Sequence, residues 1–127
     1  MTAFIQLEMI KTLHPEILNE VSTLAKPTRS DLSKVIVSYS LFQLVNHIYP
    51  NDEVMNKAAF VGSMTLLYCP AALYIDGSHA NKNLNDQIAI CFGCTSRMVR
   101  YYASQARHYY KNVPSFKQKV HQLSEEL

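Results

Sequence analysis

Arg97, Arg100, Tyr101, Ser104, His108 and Lys111 recur at spacings of three and four residues, which on a helix gathers them into one stripe of hydrogen-bond donors. A guanidinium can fork onto the O6 and N7 of guanine, and hydroxyl, phenol and ammonium groups can hold phosphate oxygens. The stripe therefore carries chemistry suited to the major groove of a duplex. Arg97 and Arg100 stand near its N-terminal end, where such helices touch bases, with Ser96, Tyr101 and Ser104 beside them. Thr95, Lys111 and Lys82 are better placed to hold phosphates. Val99, Tyr102, Ala103, Ala106 and Tyr110 fall on the opposite side, so the spacing predicts a helix over 95–111 with one face for a core and the other for a polyanion.

Such a helix needs a partner that fixes its direction. Residues 85–92 read as that preceding helix, thin at the crossing because of Ala89. Gly93 follows where the chain must reverse at positive φ, which costs glycine least. Thr95 is the expected N-cap of the next helix. Ile88, Phe92, Cys94, Val99 and Tyr102 are the apolar positions that would seal the pair onto a third helix.

Taken together, residues 85–107 resemble the helix-turn-helix superfamily of bacterial and phage regulators. Ile88-Ala89, Gly93-Cys94-Thr95 and Met98-Val99-Arg100 are nearest to the pattern of LuxR-type regulators. The polar stretch 76–83 is longer than the short glycine turn of that pattern. The resemblance implies a transcriptional regulator that binds double-stranded DNA. Operators tend to be palindromic because their readers are two-fold dimers, so a homodimer is expected.

Charge is distributed in keeping with that expectation. Residues 1–80 carry five Lys/Arg against seven Asp/Glu, and residues 81–127 carry seven against three. Asp86 is the only acidic residue between Lys82 and Val120. Positive charge thus collects on the half that holds the stripe, the electrostatic footprint of a nucleic-acid binder. A hydrophobic content of 48% with 17% charged residues belongs to a folded chain, and three glycines are too few for the turns of an all-β domain.

The expected architecture is all-α. A helical N-terminal region over 1–50 would serve dimerisation or bind a partner or effector, and 51–127 would hold the helix-turn-helix region and a C-terminal helix, either as two regions or as one compact unit. Short helices are expected over 4–13 and 15–25. Ser30 would cap a helix from Asp31 to Tyr49 whose wide apolar face (Leu32, Val35, Ile36, Tyr39, Phe42, Val45, Ile48) calls for burial on more than one side. After Pro50, Asn51 would cap a helix over 52–68, which is expected to run past Pro70 to Ile75 as the scaffold of the three-helix unit. Residues 76–83 would be a polar loop. Ser115 and Gln118 would form a capping box for a last helix over 116–127.

Other chemistry is weaker. Residues 58–75 lack charge but include Gly62, Ser63, Thr65, Cys69 and Pro70, so they read as a buried helix broken or kinked near Pro70 in preference to a membrane span. Cys91 and Cys94 form a C-x-x-C with no second pair at a recognised ligand spacing; Cys94 reads as a small core residue and Cys91 as a surface thiol. Five scattered histidines and no phosphate-cradling loop give no enzyme reading, and no cofactor or metal is expected. His47 reads as a helix-end residue capping carbonyls. An odd cysteine number and no basic-then-apolar start at Met1 point to a cytoplasmic protein. The competing reading is a helical protein–protein interaction module, an antirepressor or adaptor, whose basic stripe meets an acidic partner.

Overall fold

The computed structural model describes residues 27–44, 49–50, 52–74 and 80–127. Among these residues there are six helices and no strand, so the chain is all-α: α1 Lys34–Leu44, α2 Glu53–Tyr68, α3 Ala71–Tyr74, α4 Lys82–Phe92, α5 Ser96–Asn112 and α6 Pro114–Glu126. The helices expected over 4–13 and 15–25, the cap at Asn51 and the roles read for Val45, His47 and Ile48 lie outside the described residues.

Helix α2 is the centre of the molecule. Eight consecutive residues, Ala58 to Thr65, are buried, because α5 and α6 pack along it, α1 touches it, and α3 folds back from its end. Its polar members meet their needs within the helix: the Ser63 and Thr65 hydroxyls donate to the Ala59 and Val61 carbonyls at 2.8 and 2.7 Å. Absence of charge over this segment therefore reflects a helix covered on most sides. No helix of the described residues is long and apolar enough to cross a membrane. Asp52 caps α2 by accepting from the Met55 N–H at 3.1 Å.

Helix α2 does not continue to Ile75 as expected. Proline cannot supply an N–H to the ladder, and the chain closes at Cys69, whose N–H reaches the Thr65 carbonyl at 2.8 Å. Pro70 instead opens the separate turn α3. Three other boundaries also move. Asp31, not Ser30, organises the entry to α1: its carboxylate accepts from the Ser33 N–H and hydroxyl, an Asx turn that delays the helix to Lys34. Asn81 caps α4 through the Asn83 N–H at 2.7 Å, so the end of the expected polar loop is already helical at Lys82. Pro114, with its preset φ, starts α6 at its first turn, and no side chain caps that end, so the Ser115/Gln118 box is not used.

Among the described residues, the wide apolar face of α1 is only half covered. Val35 and Phe42 are buried and Tyr39 packs on the core, but Ile36 is 57% exposed. Val37, Leu41 and Leu44 are also exposed, so one face of this helix presents hydrocarbon to solvent.

Long-range polar contacts tie the start of the described chain to its end. Arg29 donates to the Ser38 hydroxyl at 2.8 Å and to the Leu127 carbonyl at 2.7 Å, across 98 residues, and its guanidinium lies 5.6 Å from the Tyr68 ring centre. The Thr28 and Arg29 N–H groups both reach the Leu67 carbonyl.

A second polar knot joins α3, α5 and α6. The Tyr110 hydroxyl lies 2.8 Å from that of Tyr74 and 2.7 Å from His121 Nε2. Burial and then the Tyr74 hydroxyl push the Tyr110 phenol well above its ordinary value. Burial, reinforced by Lys117 and opposed by Glu125, holds the His121 imidazole below its ordinary 6.5. The folded state thus prefers neutral His121, while the unfolded chain protonates first as pH falls. The stabilisation from this knot should be fully present above about pH 6.5 and decline below it. Urea midpoints of the wild type should therefore drop more between pH 7.5 and pH 5 than those of His121→Asn; equal drops would show that the knot does not titrate.

Candidate nucleic-acid interface

The hairpin that carries the donor stripe forms as its local sequence dictates. Gly93 adopts φ 67° and ψ 36°, the only positive-φ glycine among the described residues. Its N–H bonds the Ile90 carbonyl at 3.3 Å and the Cys94 N–H reaches back to Ala89 at 3.1 Å, the paired closure of a Schellman turn. A side chain at this φ would cost roughly 1–2 kcal/mol. Two residues on, the Thr95 hydroxyl accepts from the Met98 N–H at 3.3 Å and starts α5.

Aromatic rings brace this turn from below. Phe92, the last residue of α4, lies 5.8 Å edge-on to Tyr102 of α5, 5.7 Å from Phe60 of α2 and 5.4 Å from Tyr39 of α1. Lys57 sits over both Phe92 and Tyr102, at 5.5 and 5.7 Å, while paired with Glu53 at 2.9 Å. The Glu53 bond raises the Lys57 pKa above its ordinary value, so this cation stays charged over the rings.

Helix α5 divides as its spacing predicts. Val99, Tyr102, Ala106 and Tyr110 are buried and Ala103 is half-buried, against α2, α3, α4 and α6. Arg97, Arg100, Tyr101, Ser104, His108 and Lys111 are all exposed. From Arg97 to Lys111 the stripe rises roughly 21 Å at 1.5 Å per residue, longer than the roughly 12 Å width of a major groove. An N-terminal end seated in a groove would therefore leave Lys111 over the sugar-phosphate backbone.

Two of the expected contact residues have hydroxyls already engaged. Thr95 is spent on its cap, and Ser96 donates to Asp86 Oδ1 at 2.5 Å, binding the start of α5 to α4. That bond also occupies the carboxylate of Asp86, the only acidic residue in the sequence between Lys82 and Val120. Lys82 stands exposed on the first turn of α4 and shares the lining of one cavity with Ser96 and Arg100, whereas Arg97, Tyr101 and Ser104 lie on the neighbouring arc of α5.

Two residues escaped the sequence reading. Arg107 joins Lys82 and Arg100 around the same cavity, and its position seven residues after Arg100 was a usable signal, since two helical turns return to the same edge. Asn85 is buried at 8% exposure one turn ahead of Ile88 and Ala89, which share its face.

The three cysteines are free and half-buried, so Cys91 is less exposed than a surface thiol, and burial raises its pKa. No group of three metal-ligating side chains occurs among the described residues. No family model, no curated protein and no solved structure matches this chain.

Proposed function

We propose that this protein is a sequence-specific reader of double-stranded DNA, a transcriptional regulator of the helix-turn-helix class that acts as a homodimer. The observation that carries the reading is the division of α5: a buried apolar face and, opposite it, an exposed stripe of arginine, tyrosine, serine and lysine, directly after a glycine turn that sets its direction. Arg97 and Arg100 reach base edges, Tyr101 and Ser104 flank them, and Lys111 and Lys82 hold phosphates on either side. Ser96 acts chiefly by anchoring α5 to Asp86. The uncovered hydrocarbon of α1 at Ile36, Val37, Leu41 and Leu44 supports a second copy as the partner there.

Selection from a random duplex pool tests the reading. A palindromic site should be enriched, and Arg97→Ala or Arg100→Ala should each weaken binding to it by about 1–3 kcal/mol with the fold intact. Failure to enrich any duplex, with both variants folded and unchanged, would transfer the basic stripe to an acidic protein partner.

A further inference from the structure

The first turn of α5 carries, beside its arginines, a large apolar side chain with no hydrogen-bond donor to offer. Met98 follows Arg97 directly and is 42% exposed. Its backbone is fixed, since its N–H meets the Thr95 hydroxyl at 3.3 Å and the Thr95 carbonyl at 3.1 Å. At roughly 100° per residue, Arg97 and Tyr101 stand at the middle of the exposed arc, Arg100 toward one flank and Met98 on the other, about 160° around the axis from Arg100. Tyr101 comes three residues after Met98 and lies on its side of Arg97. It is 47% exposed, and its ring is set edge-on to the buried Tyr102, 5.6 Å between centres. The two flanks of this end of the helix therefore differ in kind, with a guanidinium on one and a thioether beside a phenol ring on the other.

A helix seated in a major groove turns its two flanks toward opposite strands. The base edges there present hydrogen-bond donors and acceptors and one apolar group, the C5 methyl of thymine. Against any other base edge, Met98 would strip water from polar atoms and return no hydrogen bond. We propose that Met98 is a specificity-determining residue that reads a thymine methyl, on the strand opposite the guanine held by Arg100. Its unbranched, polarisable thioether can lie along the methyl, with the edge of the Tyr101 ring beside it. This inference rests on the DNA-binding reading and narrows it, from duplex in general to sites that set a thymine on one strand at a fixed offset from a guanine on the other.

The test uses the full chain and the duplex it selects, with thymine replaced by uracil one position at a time. That change removes the methyl and leaves every hydrogen-bonding group of the base in place. The wild type should lose about fourfold in affinity at one thymine per half-site, the effect of leaving one methyl-sized apolar group unburied, and little at the others. Met98→Ala should bind the thymine and uracil duplexes alike, and Met98→Leu should keep the preference. Arg100→Ala should weaken both duplexes and keep their ratio. All three variants should melt close to the wild type, because Met98 and Arg100 are exposed. Tolerance of uracil at every position by the wild type, or a thymine preference that survives in Met98→Ala, would overturn the proposal while leaving the DNA-binding reading intact. Failure to select any duplex would overturn that reading and this inference with it.

Discussion

Replacing Phe60 by alanine should remove about 3–5 kcal/mol of folding stability, the range for emptying a fully buried aromatic site. Phe60 has no solvent exposure and is the ring on which three others converge: Tyr39 and Phe42 at 5.2 Å and Phe92 at 5.7 Å. It belongs to α2, Tyr39 and Phe42 to α1, and Phe92 to the end of α4. Removal would therefore leave a void where three helices meet, and none of them can close it without shifting the others. Phe92 is also the brace under the Gly93 turn, so the loss should reach the donor stripe. Denaturant unfolding measures the stability term, and hydrogen exchange at the α5 N–H groups reads the loosening of the hairpin. Phe60→Leu, which keeps most of the volume, should cost much less. A loss below about 1.5 kcal/mol for Phe60→Ala would contradict the packing described, since even a large-to-small change at a yielding core site generally exceeds it.

Gly62→Leu should cost about 3 kcal/mol, the upper end for overpacking. A Cβ at this position would stand 3.1 Å from Val120 Cγ2 and 3.6 Å from Ala106 Cβ, so α2 meets α6 and α5 here with no room for a branched side chain. Gly62→Ala has two opposed effects: a tight contact with one methyl of Val120 against a helix-propensity gain of about 1 kcal/mol. It should be close to neutral. The contrast between the two substitutions is the diagnostic, because a propensity effect alone would stabilise both. Val120→Ala in the Gly62→Leu background should recover part of the loss, and the double-mutant cycle should give a favourable coupling. Additive losses would place the strain elsewhere than at the α2–α6 crossing.

Much of the region that holds the candidate site was legible without coordinates. The helix over 95–111, its two faces, the positive φ of Gly93 and the capping role of Thr95 each depend on residues within about four positions, and each is present. Legibility ended where a local signal had competitors. Ser30, Asp31 and Ser33 all offer side-chain oxygens or hydroxyls near the start of α1, and only the geometry of the Asp31–Ser33 turn selects among them. Pro70 marks a break or a kink, and the sequence alone does not tell a bent helix from the closed one that the Cys69–Thr65 bond produces. Periodicity marked Ile36 as apolar and facing inward, yet whether an apolar stripe is covered depends on how many elements reach it, and among the described residues too few reach this side of α1.

By itself, then, the sequence determined that the chain is helical, where the α4–α5 hairpin turns, and which face of α5 is cationic, because caps, glycine φ and the 3.6-residue period act between near neighbours. Tertiary structure alone decided that Arg29 joins Ser38 to Leu127, that Gly62 marks a crossing of helices, and that the side-chain oxygen of Asn85 is buried without a hydrogen-bond partner. Each of those features is made by groups far apart in the chain, and their distances are set only when the helices pack around α2.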